Sequence, residues 1–224
     1  RFSNYATAFF NANIMQYFLN SVLVTGVTIL ATLVAAATAA YAISRMIWRG
    51  RETMLKVILL GMMVPIHAAL LPLFIILSKT HLLNSYWSLI IPYVAFGLPM
   101  AIYLFTSFMA SIPKEMEEAA AIDGCGIYQM FFRIIFPLIR PAIATVSIFT
   151  FISSWNELMF AVTFINKSEY KTLTVGIMSM VGAYTTKWGE IGAGLMIATI
   201  PTVIVYLLLS EQVQNSLVAG AVKG

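Results

Sequence analysis

The chain has 224 residues, of which 60% are hydrophobic and only 10% charged, where soluble domains carry about a quarter charged residues; its mean hydropathy of +0.89 excludes a soluble globular domain and requires lipid as solvent. The formal charge of +4 does not argue for nucleic acid, because in a membrane protein Lys and Arg report orientation through their distribution. The single cysteine, Cys125, excludes an internal disulfide framework and a cysteine metal cluster.

Residues 1–16 mix Asn4, Asn11 and Asn13 with aromatic side chains and lack the charged, apolar and small-residue order of a signal peptide, so they read as an aqueous or interfacial lead-in. From about Tyr17 to Ile43 the chain carries no charge and exceeds the roughly 20 residues that cross hydrocarbon. A spanning helix is predicted there. Ser21, Thr25, Thr28, Thr32, Ala35 and Ala39 recur at separations of three and four, a small-residue stripe suited to close helix packing. Arg45, Arg49, Arg51 and Lys56 then form the densest positive cluster, which places this end of the helix in the cytoplasm.

A second apolar run, about residues 57–78, is interrupted by Pro65, His67 and Pro72 and predicts a kinked helix. Two readings stand for His67: a neutral imidazole hydrogen-bonded inside the bundle, or a group on a transport path. Residues 79–85 form a short outer turn. The third crossing runs from Tyr86 to about Ala110, with Tyr86 and Trp87 as an interfacial anchor and Pro92, Gly97 and Pro99 expected to break it.

The one long polar-bearing segment spans residues 111–141. Ser111 as a capping hydroxyl, Pro113 and Glu115 predict a helix opening near 113. Asp123, Gly124, Cys125 and Gly126 predict its stop, since a residue tolerant of positive φ is needed there. A second short helix over 127–136, bearing Arg133 and ended by Pro137, completes a helix, glycine turn, helix knob. Ala119, Ala120 and Ala121 leave one side thin enough for another backbone to approach, while Glu117 and Glu118 offer acceptors to a basic or hydroxyl-rich groove. The shape suits a docking plug.

A fourth crossing, about 141–165, contains Trp155, Asn156 and Glu157, the last being the only acid within a spanning run. It reads either as a functional carboxylate facing a cavity or as a structural hydrogen bond that locks this helix to another element. Residues 166–190 form a longer outer connection with Lys167, Glu169, Lys171 and Lys187 and the aromatics Tyr170, Tyr184 and Trp188. Its apolar patch, 173–181, is too short to span and is expected to lie near the outer surface. A fifth crossing from Ile191 to Ser210, with Pro201 near its middle, leads to a polar cytoplasmic tail, 211–224. Counted on this topology, eight Lys and Arg residues lie inside and five outside.

The spacing Glu118, Ala119, Ala120, Gly124, Ile134, Phe136, Pro137 resembles the EAA loop of ABC importer permeases, with Phe136 where that family usually has leucine. The whole chain resembles the smaller, MalG-like permease subunit of carbohydrate importers, including the ending Ala219, Gly220, Ala221, Val222, Lys223, Gly224. The resemblance implies an all-α polytopic helix bundle in a prokaryotic cytoplasmic membrane, one permease domain over 1–224. Such subunits ordinarily have six crossings, so five here imply that a first helix precedes Arg1. The loop at 111–141 is then a coupling helix on the cytoplasmic ATPase, through Glu117, Glu118, Ala119, Ala120, Asp123, Gly124, Ile134 and Pro137. The implied partners are a homologous second permease, two ATPase subunits that use ATP and Mg, and an extracellular solute-binding protein that delivers sugar and lands near 173–181. The chain itself is expected to be no enzyme and to hold no cofactor, and it has no glycine-rich phosphate loop.

The sequence Trp155, Asn156, Glu157 is similar to a tripeptide of sugar permeases, so with His67 these residues are candidates for the substrate path. Permeases for amino acids, phosphate or peptides share the loop, and a proton-driven carrier using His67 and Glu157 as a relay is a further alternative. A membrane enzyme is disfavoured, because those two groups are isolated from any metal or nucleophile set.

Overall fold

The structure is a computed structural model that describes residues 5, 13–181 and 188–221, with side chains of the last helix described to Leu208. Helix α1 spans Ile14–Ser44, α2 Arg51–Leu60, α3 Leu70–Lys79 and α4 Trp87–Ala110. The polar segment contains α5, Glu115–Ile122, and α6, Ile127–Met130; a π-helical turn at Phe131–Ile135 leads to α7, Phe136–Leu138. Helices α8, Arg140–Trp155, α9, Met159–Phe164, α10, Leu173–Met178, and α11, Trp188–Ala221, complete the described elements. Three helices, α1, α4 and Trp188–Leu208 of α11, are by themselves long and apolar enough to cross a membrane. Two bent pairs, Arg51–Met63 with Ile66–Lys79 and Ile127–Leu138 with Arg140–Trp155, raise the number to five if each is one span.

Several boundaries differ from expectation for local reasons. The second span breaks instead of kinking, because Val64 and Pro65 are extended, at ψ 116° and 118°. The turn lies there, ahead of Pro72, which α3 accommodates in its first turn, where an amide would be unpaired anyway. Helix α4, in contrast, runs unbroken for 24 residues through Pro92, Gly97 and Pro99. Gly61 leaves room for the Pro99 ring, since a Cβ on it would meet Pro99 Cγ at 3.2 Å. Helix α11 continues past Ser210 to Ala221, where a tail was expected.

The chain forms two compact units. The first contains α1 up to Ile29, Pro65–Val94 and Thr150–Leu208. Its core packs Ile14 and Tyr17 of α1 against Phe151 and Trp155 of α8, Leu173 and Ile177 of α10, and Ile191 and Ala193 of α11. Trp155 stacks on Phe151 at 5.4 Å, meets Phe18 edge-on at 5.6 Å, and donates its indole N–H to the Ala198 carbonyl at 3.0 Å. In helix α10 Leu173, Val175, Gly176 and Ile177 are buried, because its apolar side chains complete this core.

The second unit contains Leu30–Val64 and Ala95–Phe149. Here Ala36, Ala37, Ala40 and Tyr41 of α1 pack on Ala101, Phe105 and Met109 of α4, with Phe131, Ile135, Ile139 and Val146 completing the cluster. Close helix approach through alanine is the packing expected where water supplies no driving force between helices. The predicted stripe is buried from Ser21 to Thr32, but in this half the buried face moves to Ala36, Ala37 and Ala40, leaving Ala35 exposed and Ala39 partly so.

Gly176 is the tightest of these contacts, since a Cβ built there would fall on the Tyr17 ring. Tyr17 is itself buried and bonded to Ser168 at 2.9 Å, so the ring has little freedom to yield. Gly176→Ala should therefore destabilise the detergent-solubilised protein by about 1–3 kcal/mol, the ordinary cost of overpacking. A thermal melt followed by tryptophan fluorescence checks this, and an unchanged midpoint would contradict the packing described.

Candidate functional site

The polar segment is anchored first by its helix ends. Helix α5 begins after Lys114 and carries Glu115, Glu117 and Glu118 in its first turn, where the helix dipole favours acids. Ser111 does not cap it as predicted. Its hydroxyl donates to the Phe108 carbonyl at 2.8 Å and so finishes α4. At the other end Gly124 adopts φ +80°, with Cys125 N–H bonded to Ala120 O at 2.9 Å and Gly124 N–H to Ala121 O at 3.1 Å. That pair of bonds is a Schellman stop, which needs a left-handed residue at the position Gly124 occupies. Pro137 does not end the next helix, contrary to the sequence reading. The π turn widens the helix before it and carries the chain past the missing amide to Leu138, and the 73° bend follows at Ile139.

Burial then divides the candidate residues. Glu117 and Ala120 turn inward, Ala120 being buried. Glu118, Ala119, Asp123 and Gly124 face solvent, while Ile134 and Pro137 are half-buried. Beside the solvent-facing set stand two large side chains that the sequence reading passed over, Ile122 at 87% exposure and Tyr128 at 79%. Nothing lies within 4 Å of a Cβ built on Gly124, so bulk at this position would project away from the chain.

The inward residues meet Arg45, just past the C-terminus of α1. Its Nε lies 3.3 Å from Glu117 Oε1, without the alignment of a hydrogen bond, so the contact is an ion pair. The other end of the guanidinium donates to the carbonyls of Met109 and Ile112. Sequence reasoning read Arg45 only as a topology signal. The second half of the segment is held by Phe131, buried against Tyr41 at a ring distance of 5.0 Å.

The other candidates lie in the first unit. Glu157 sits where the fourth span breaks between α8 and α9, and it is half-buried. One carboxyl oxygen accepts the Phe160 N–H at 2.8 Å; the other accepts the Ala161 N–H at 3.1 Å and the Tyr93 hydroxyl at 2.7 Å. Its own carbonyl accepts Thr174 Oγ1 at 2.9 Å. The carboxyl thus caps α9 and ties it to α4. Trp155 is a core residue, and Asn156 is exposed, its amide donating to the Ile152 carbonyl at 2.9 Å. His67 is exposed on the turn after the break in the second span and has no hydrogen bond within the described chain, so the bonded-imidazole reading finds no partner here.

The connection from Ile165 to Leu173 is pinned by polar side chains the sequence did not single out. Asn20 donates to the carbonyls of Glu169 and Lys171 at 2.8 and 2.9 Å and accepts the Tyr86 hydroxyl at 2.8 Å. Asn84, at φ +57°, accepts the amides of Asn166 and Lys167 at 2.6 and 2.9 Å. Tyr184 and Lys187 lie outside the described residues. No group of three or more His, Cys, Asp or Glu is placed to hold a metal among the described residues.

The family described as "Binding-protein-dependent transport system inner membrane component" matches residues 29–220. The chain is 40% identical over 221 residues to the probable ABC transporter permease protein YurM of Bacillus subtilis (strain 168), covering 99% of this chain and 73% of that protein. It is 35% identical to the trehalose/maltose transport system permease protein MalG of Thermococcus litoralis, covering 93% and 75%. Its fold resembles a chain in the crystal structure of a bacterial ABC transporter that imports the acidic polysaccharide alginate, at a TM-score of 0.83 and 24% identity, covering 94% of this chain and 79% of that one.

The Glu157 network predicts a coupled loss. Glu157→Ala deletes three acceptances at once, and Tyr93→Phe removes one donor; bonds to a charged group are worth about 1.5–3 kcal/mol each. Melting of the two single variants and the double should be clearly sub-additive, because Tyr93 has nothing to donate to once the carboxyl is gone. Additive losses would mean that the two residues do not interact.

Proposed function

The chain belongs to the family of binding-protein-dependent transport system inner membrane components, and from that premise we propose that it is the permease subunit of an ATP-driven importer, forming with a homologous second permease the membrane path for a sugar or oligosaccharide. The names of its relatives support this substrate class: the Thermococcus litoralis protein is a trehalose/maltose permease. In this reading the chain lies in a prokaryotic cytoplasmic membrane and receives solute from an extracellular binding protein. Two ATPase subunits at the cytoplasmic face bind ATP and Mg and hydrolyse the ATP.

The observation that carries the coupling role is the two-sidedness of α5. Its inner side is fixed by Ala120 and by Glu117 on Arg45, while Glu118, Ala119, Ile122 and Asp123 stand free. A helix so divided can be gripped from outside and pull on what it is fixed to inside. Closure of an ATPase dimer around α5 would then move the helices it is anchored to. The broken spans supply the irregular backbone that lines cavities at membrane depth. The exposed His67 and Asn156 are the polar side chains that this reading places on the path of the solute.

Capture of the cognate ATPase in mild detergent tests the coupling role. The native chain should retain the ATPase, and Glu118→Lys and Gly124→Asp should lose it at least tenfold. Aspartate is among the few residues that tolerate the left-handed region, and the space around Gly124 is open, so Gly124→Asp leaves the permease folded and places bulk only where a partner sits. Equal capture by all three chains would overturn this assignment of the docking surface.

A further inference from the structure

Resting on that reading, the geometry points to Arg45 as the positioning residue that makes the docking helix rigid with the membrane helices. Apart from the buried Ala120 and the chain beyond Gly124, which is held where Phe131 packs on Tyr41, a force applied to α5 has two routes into the bundle, both at its N-terminal end. One is the backbone linker, residues 111–114, which is not helical and by itself would act as a hinge. The other is Arg45.

One guanidinium joins three segments. Its own backbone extends α1, through the Arg45 N–H to Tyr41 O bond at 2.9 Å. Its fork donates to Met109 O in the last turn of α4 and, at 2.7 Å, to Ile112 O in the linker. The Ile112 carbonyl lies just past the helix end, Met109 O also accepts the Ile112 N–H at 3.0 Å, and the helix dipole at this end favours a cation. Its Nε faces Glu117 in the first turn of α5. The side chains are 4% and 15% exposed, so water neither screens the pair nor replaces it, and removing one partner leaves an uncompensated buried charge. Arginine is suited to this because its donors are set in a fixed planar fork; lysine could keep the charge but not the three directions at once.

Glu117 and Glu118 therefore divide their work. Glu118 offers its carboxylate outward to the ATPase, and Glu117 offers its own inward, so that motion imposed on the first reaches α1 and α4 through the second. Without Arg45 the docking helix should still be captured, but it would swing on its linker as the ATPase closes and leave α1 and α4 behind.

The test uses the whole transporter, with both permeases and the ATPase, reconstituted in lipid. Nitroxide labels on Glu115→Cys and Tyr103→Cys, in a Cys125→Ser background, report the separation of α5 from α4 by electron spin distance measurement, with and without ATP. With Arg45 present the distribution should be narrow and unchanged by nucleotide. In Arg45→Gln it should at least double in width or shift on ATP addition, while ATPase capture stays within twofold of native. Arg45→Lys should fall between. A narrow, nucleotide-independent distribution in Arg45→Gln would overturn the proposal, as would a native distribution that moves with ATP. Should Arg45→Gln fail to fold, Glu117→Gln, which keeps the side-chain shape and removes only the ion pair, decides on the same criteria. Failure of the native chain to bind the ATPase is read separately by capture, and it removes the coupling assignment together with this one.

Discussion

Hydrocarbon offers no water to a backbone amide or carbonyl, and most of this structure follows from that constraint. A chain in lipid can stay helical without help, but every interruption exposes groups that cost several kcal/mol unless the protein supplies partners. The interruptions here are supplied in different ways. The break before α9 is covered by Glu157, whose carboxyl takes two amides of the new helix and a hydroxyl from α4. The end of α4 is covered by Arg45, which takes the Met109 carbonyl in its last turn and the Ile112 carbonyl just beyond it. At Pro137 no side chain is needed, because the π turn absorbs the missing amide within the helix. Charged side chains in this chain thus serve as caps for backbone that has nowhere else to turn.

The same economy shapes the connection between Ile165 and Leu173. It has little regular structure of its own, yet Asn20, Ser21 and Asn84 take up its backbone groups one by one. Segments of this kind ordinarily fray. Here the polar side chains of α1, with Asn84 in the turn before α4, hold it in one conformation, and Gly176 allows α10 to close over the Tyr17 ring.

The polar segment combines both solutions. Its glycine stop is local and self-contained, while its attachment to the bundle is electrostatic at one end and aromatic at the other, through Arg45 with Glu117 and through Phe131 with Tyr41. Ile122 and Tyr128 remain uncovered beside the carboxylates. A surface with large apolar groups flanked by acids fits a protein partner better than a lipid headgroup layer, in which acids would be disfavoured.

By itself the sequence determined the solvent, the all-helical class and the Gly124 stop, because hydrophobic length and glycine's backbone freedom act within a few residues of where they are read. The EAA spacing was legible for the same reason and pointed to the family that the comparisons establish. What only the tertiary structure decided was where each polar side chain goes. Glu117 and Glu118 are neighbours of identical chemistry, and nothing local says that one meets Arg45 while the other faces outward. Nothing local says that Glu157 meets Tyr93 and the start of α9, or that α10 completes a core with Tyr17 and Trp155. Proline shows the same limit: the chain breaks at Pro65 and runs straight through Pro99, where Gly61 admits the ring. The direction a side chain takes depends on partners distant in sequence, and only the packed chain brings them together.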